Sequence, residues 1–413
     1  MSNRLMSFLE SKNLLTDNQF GFRKKRSTYM ALMEMYDKIS LAIDNQEYSV
    51  GVFIDLSKAF DTINHTILID KLAYYGVRGI ALDWFQSYLQ LREQYVHLNG
   101  ASSTMRSISC GVPQGSILGP LLFILYINDI TSCCQILKLI LFADDTNLFC
   151  SNRDYSELER IVNCDLSKLA VWFKANMLSL NAAKTYFILF GSKKFPRPIS
   201  LVLDGNILEQ TNCTKFLGIY MDEKLKWDQH LNYVSGKISR GLGMISRVSK
   251  ILPSEILLTL YYSLIYPHLL YCCIVWGGAC ITSLHKLEVL QNRAIRLITH
   301  SPFRSSSSPI FKRLNILKIA DIRKLNIATF MFETRNSNLP RCCLSYCQLN
   351  SNFHYGIRNI CDFVMPAFRT KIREQSISVL GPRIWSSLPS DIRSSVSSFC
   401  FKKNVRNYLI SQY

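Results

Sequence analysis

The sequence predicts an α+β fold, a part that mixes strands with helices followed by a helical part, and three observations carry that prediction. Compact apolar runs of strand length occupy residues 49–54, 186–190 and 216–220. Residues 139–149, Leu-Ile-Leu-Phe-Ala-Asp-Asp-Thr-Asn-Leu-Phe, break a similar run with a polar turn and so read as strand, turn, strand. From Trp227 onward the chain reads as helical, and the serines at 305–308 with Pro309 are the strongest boundary signal.

Residues 1–17 open the chain as a short amphipathic helix with Leu5, Phe8 and Leu9 on one side. Gln19-Phe20-Gly21-Phe22-Arg23 then forms a turn carrying basic residues, and Ser27-Thr28 caps a helix through Ala31, Leu32, Met35, Ile39 and Ala42. The strand at 49–54 delivers Asp55 at its carboxyl end. Residues 56–65 turn into a helix with Asp61 in its first turns, where the charge either complements the helix amino end or serves chemistry. Helical sequence continues to about Leu89, with Trp84, Phe85 and Tyr88 on its apolar face. Residues 110–120, Cys-Gly-Val-Pro-Gln-Gly-Ser-Ile-Leu-Gly-Pro, are a turn-rich loop whose glycines permit close backbone approach and whose Gln114 offers both a donor and an acceptor. An apolar helix follows at 121–127, and a longer amphipathic one at 158–179. After Asn181 to Thr185 comes the strand at 186–190, then a basic loop at 193–198 and a hairpin around Asp204-Gly205.

Asp144-Asp145 is the costliest feature of the sequence. Two adjacent carboxylates at the edge of an apolar run repel one another and lose hydration, which a divalent cation would offset. Alone, the pair is equally well a polar turn between buried strands. Asp55 at a second strand end supplies the third acid of an all-oxygen set, the donor chemistry of magnesium, and two ions would serve phosphoryl transfer.

Composition narrows the partner. With 48 Lys+Arg against 30 Asp+Glu among 413 residues, the net charge of +18 favours an extended polyanion, nucleic acid before a membrane surface. The densest basic run, Arg23 to Arg26, reads as a nucleic-acid contact beside Phe20 and Phe22, with a nuclear import signal as the alternative. Fourteen cysteines without a secretory signal, several in apolar runs, indicate reduced, mostly buried thiols and an intracellular protein. Cys342, Cys343, Cys347 and His354 crowd together, but their spacing matches no zinc finger or knuckle. Residues 256–285 lack any Asp, Glu, Lys or Arg, which would suit a membrane span; Pro267 and a fringe of tyrosines favour a buried helix pair, and no membrane is expected as a partner.

These motifs together resemble the reverse transcriptases of non-LTR (LINE-type) retrotransposons of the jockey and CR1 sort. Phe53-Ile-Asp-Leu-Ser-Lys-Ala-Phe-Asp61 is similar to their motif A, and Gly111-Val-Pro-Gln-Gly-Ser-Ile-Leu-Gly-Pro-Leu-Leu-Phe123 to motif B. Phe142-Ala-Asp-Asp145 resembles the motif C box, Leu180-Asn-Ala-Ala-Lys-Thr185 motif D, and Lys215-Phe-Leu-Gly218 the primer grip. Residues 19–28 and the tail segment Gly381-Pro-Arg-Ile-Trp-Ser-Ser-Leu-Pro389 extend the likeness over nearly the whole chain.

The resemblance implies a right-hand polymerase with partial fingers (1–48), an antiparallel-sheet palm (49–226), a helical thumb (227–304) and a basic C-terminal extension (305–413). It implies RNA-directed DNA synthesis from deoxynucleoside triphosphates on an RNA template and a DNA primer or target, with two Mg2+ ions, or Mn2+ in their place. Asp55, Asp144 and Asp145 would be the catalytic metal ligands, and Lys184 would donate a proton to pyrophosphate. Phe60 would exclude a ribose 2′-hydroxyl, although a lone Phe also suits a core. Gln114 and Gly115 would line the incoming nucleotide, Leu217 and Gly218 would hold the primer end, and Arg23 and Lys24 would face the template. Location in cytoplasm and nucleus follows. The family also carries an Arg-Pro-Ile fingers element and an endonuclease domain upstream, so the expectation is a polymerase part with its amino side missing. The rival reading is a catalytically impaired nucleic-acid-binding remnant.

Overall fold

A computed structural model describes residues 1–134, 136–191, 193–349 and 362–413. The chain forms two compact units. One comprises Met1–Ser27, Glu47–Leu189 and Lys193–Thr211; the other comprises Thr28–Gln46, Phe190 with Gly191, and Asn212–Tyr413.

The first unit is built on five strands: β1 (Tyr48–Ile54), β2 (Lys138–Phe142), β3 (Asp145–Asn152), β4 (Tyr186–Phe190) and β5 (Glu209–Gln210), in the spatial order β5-β4-β1-β3-β2. β1 is central and apolar on both faces, as its unbroken Val-Gly-Val-Phe-Ile run requires. It pairs antiparallel with β3 from Tyr48 opposite Asn152 to Ile54 opposite Thr146, and β3 pairs antiparallel with β2. The edge strand β5, invisible in the sequence, runs parallel to β4. The helix Tyr155–Ala175 starts where the Asp154 carboxylate accepts the Glu157 N–H at 2.8 Å. Its Leu158, Val162, Leu166 and Phe173 join Val50, Val52 and Leu148 in one core with the apolar helix Gly119–Tyr126.

Three local expectations change. Residues 56–64 are turns, not the start of a helix: the helix begins at His65 because Asn64 caps it, its Oδ1 accepting the Ile67 N–H at 3.1 Å. Asp61 therefore does not complement a helix amino end. In the helix Ile80–Leu89, Phe85 is buried, whereas Trp84 is 39% exposed and stacks on Tyr88 at 5.4 Å. Residues 216–220 are two strands: Cys213–Phe216 and Ile219–Asp222 form an antiparallel hairpin with Leu217-Gly218 at its tip.

In the second unit the helix Thr28–Asp44 is apolar on nearly every side and buries Met30, Leu32, Met35, Tyr36 and Ile39. Its acids are clasped by the C-terminal region. Asp37 pairs with Arg373 at 2.8 Å and accepts the Ser378 hydroxyl at 2.6 Å. Asp44 accepts the Arg369 N–H at 2.9 Å and the Thr370 N–H and hydroxyl at 2.7 and 2.8 Å. Residues 254–298 form four helical pieces, Ser254–Leu264, Tyr266–Leu270, Cys273–Trp276 and Ile281–Ile298, and no described helix is long and apolar enough to cross a membrane. The Cys342 and Cys343 sulfurs lie 3.9 Å apart, and His354 lies outside the described residues.

Candidate active site

β1 ends opposite Thr146, so continuing the antiparallel register past Ile54 puts Asp55 across from Asp145. Phe142 and Asp145 pair across the β2–β3 hairpin, which leaves Ala143 and Asp144 as its two-residue turn. Burial, then the charge of Asp55, raises the Asp144 carboxyl above the ordinary range. Asp145 is pushed up to about 6 by burial and by the charges of Asp144 and Asp55. The three acids are thus electrostatic neighbours.

Asp55 is held by the segment before β4. The Asn181 side-chain amide donates to Asp55 Oδ2 at 2.9 Å, and Lys184 Nζ stands 3.8 Å from the same oxygen. The backbones are tied as well: the Asn181 N–H donates to the Asp55 carbonyl at 2.9 Å and the Ser57 N–H to the Ser179 carbonyl at 2.8 Å. Asn181 carries no signal in the sequence beyond its place in the Leu-Asn-Ala-Ala-Lys run, and its role appears only in the fold.

The glycine-rich loop is stitched to the turn after Asp55. Gly111 N–H donates to the Ile63 carbonyl at 2.7 Å, Val112 N–H to the Phe60 carbonyl at 2.9 Å, and Gln114 Nε2 to Asp61 Oδ1 at 2.7 Å. A β-carbon on Gly111 would stand 2.7 Å from the Asp61 carbonyl oxygen, so only glycine allows this approach. Gly115, by contrast, faces open space. Lys58, Asp61, Arg92 and Gln114 line an adjoining groove of about 700 Å³. The Phe60 ring is half-buried, stacks on Phe123 at 4.5 Å and meets the exposed Phe22 edge-on at 6.4 Å, so it is a packing residue with one edge turned toward an exposed ring.

Of the basic run, Arg23 is turned inward, donating to the Thr16 carbonyl at 2.6 Å, while Lys24 and Lys25 are exposed. Leu217 and Gly218 belong to the second unit. Both have positive φ, and the Tyr271 hydroxyl donates to the Leu217 carbonyl at 2.7 Å, which fixes the hairpin tip.

Among the described residues no group of three or more His, Cys, Asp or Glu side chains is arranged to hold a metal ion. The donor chemistry nevertheless fits one. Half-buried carboxylates that repel each other, with hard oxygen donors only, are what a magnesium ion relieves.

The family model described as reverse transcriptase (RNA-dependent DNA polymerase) matches residues 1–221. The chain is 32% identical over 336 residues to a probable RNA-directed DNA polymerase from transposon BS of Drosophila melanogaster, covering 76% of this chain and 36% of that protein. It is 27% identical over 345 residues to the RNA-directed DNA polymerase from mobile element jockey of the same organism, covering 81% and 37% respectively. The chain thus spans about a third of the length of these relatives. Among solved structures it is similar to apo telomerase from Candida tropicalis, with a TM-score of 0.41 and 12% identity over 78% of this chain and 54% of that one. The match over more than half its length places the chain in the reverse transcriptase (RNA-dependent DNA polymerase) family, among the non-LTR retrotransposon members.

Proposed function

We propose that this chain extends a DNA 3′ end with deoxynucleotides on an RNA template by two-metal nucleotidyl transfer. The observation that carries the reading is the register that, continued one residue past Ile54, sets Asp55 across from Asp145, next to the Ala143-Asp144 turn. Asp55 and Asp144 would hold both ions, with Asp145 beside them. When bound, magnesium supplies activation of the attacking hydroxyl and stabilisation of the leaving pyrophosphate.

The remaining roles belong to the chain's own side chains. Lys184, exposed and 3.8 Å from Asp55, would give a proton to the pyrophosphate. Gln114, anchored by Asp61, and Gly115 would line the nucleotide, and Phe60, braced on Phe123, would stand against a ribose 2′-hydroxyl. Leu217 and Gly218 would hold the primer end, and exposed Lys24 would contact template phosphates, whereas Arg23, turned onto the Thr16 carbonyl, would brace that turn. Location in cytoplasm and nucleus accords with such a role.

The test is primer extension by this chain on an RNA template with the four deoxynucleotides. Extension that requires Mg2+ or Mn2+ and stops with a chelator is expected. Binding of primer-template without any extension, in either metal, would replace the proposal with a nucleic-acid-binding remnant.

A further inference from the structure

Gln19 is buried and lies far from the acids in sequence, yet its side chain is spent on the turn that carries them. Its Oε1 accepts the Ala143 N–H at 3.0 Å and the Gly21 N–H at 2.7 Å, while Nε2 faces the Ala143 carbonyl at 3.4 Å. The flanking backbone continues the contact: the Phe20 N–H donates to the Leu141 carbonyl at 2.8 Å, and the Leu141 N–H to the Asn18 carbonyl at 2.9 Å. Residues 18–20 thereby cover the open edge of β2 as a short parallel bridge, with Gln19 opposite Leu141. Gly21 sits so close that a β-carbon there would stand 2.4 Å from the Ala143 nitrogen.

Ala143 is what needs holding. Its φ is +54°, a region that residues with a β-carbon avoid and glycine enters freely. Because Asp144 is the next residue, the direction of its carboxylate depends on Ala143 keeping that conformation. The sequence shows the Gln-Phe-Gly-Phe-Arg stretch only as a turn carrying basic residues, because the residue that matters is neutral and its partners are backbone atoms.

We propose that Gln19 is a positioning residue: its amide locks Ala143 in the left-handed conformation and so aims Asp144 at the metal. The inference rests on the reading of Asp144 as a metal ligand. In Gln19→Met, which keeps the volume and loses the amide, Mn2+ binding followed by electron paramagnetic resonance should weaken by about tenfold, as when a group orienting a metal ligand is lost. Affinity for primer-template should be unchanged. Adding Ala143→Gly to Gln19→Met should restore Mn2+ binding, because glycine enters positive φ without the steric cost that the amide offsets in alanine; a side chain that merely fills space would not be rescued this way. Should Gln19→Met not fold, Gln19→Asn, whose amide falls one carbon short, is read by the same two measurements.

Wild-type Mn2+ affinity in the folded variant, or failure of Ala143→Gly to restore it, would overturn the proposal. Asp144→Asn is the reference. If that variant binds Mn2+ as the wild type does, the assignment of Asp144 has failed; if it loses the ion while the Gln19 variant keeps it, only the Gln19 inference has.

Discussion

Asp145 shows how far one residue can be read from chemistry. Its carboxyl is raised to about 6 from an ordinary value near 3.8 because burial and two neighbouring acids penalise its charge. A raised carboxyl makes the folded state prefer the proton, so its contribution to stability is present below about pH 4 and is lost as pH rises through about 6. A divalent ion replaces the proton. Magnesium should therefore raise the melting temperature more at pH 8 than at pH 5, which calorimetry with and without the ion at both values would measure; equal increments would contradict this origin of the shift. The acids were legible in the sequence because adjacent carboxylates in an apolar run are costly wherever they occur. Gln19 and Asn181 were not, because a neutral amide bonded to distant backbone leaves no pattern in spacing or charge.

At the scale of elements, periodicity located helices and strands but not what they meet. The helix Thr28–Asp44 follows from its apolar spacing, yet its aspartates Asp37 and Asp44 find Arg373, Ser378, Arg369 and Thr370 more than 300 positions on, a pairing no local rule contains. The ion pair Asp37–Arg373 is nearly buried on both sides, and removing one partner strands the other charge. Asp37→Ala should then destabilise the protein by about 3 kcal/mol, with the second unit melting first, as denaturant unfolding would report. A loss below about 0.5 kcal/mol, the range of ordinary surface substitutions, would show that the clasp contributes little. The Leu217-Gly218 hairpin was read as one strand because Leu at positive φ is not a turn signal; its conformation is set by Tyr271, 54 residues later. The helix after Asp55 was placed too early for a similar reason, since the cap that starts it is Asn64 and the preceding residues are drawn into turns by the 110–114 loop.

For the molecule as a whole, the α+β class was legible because strands interleaved with helices fill the chain up to about residue 226 and only helical sequence follows from Trp227. The excess of 18 positive charges has no counterpart inside the protein that would neutralise it. Binding to a primer-template should be dominated by phosphate contacts and should weaken steeply with salt, the logarithm of affinity falling by about 0.9 per contacted phosphate for each decade of salt. A fluorescence-anisotropy titration from low to physiological ionic strength measures it, and a flat response would show that charge is not what holds the duplex.

If the hairpin acids perform the chemistry, one paired measurement on Asp144→Asn shows it most directly. The substitution keeps shape and removes the charge, so melting temperature without metal should hold or rise, because a strained carboxylate is gone. Magnesium-dependent extension on an RNA template should fall by at least about a thousandfold, with primer-template affinity unchanged. Extension retained in a folded Asp144→Asn protein would contradict the account and place the chemistry elsewhere.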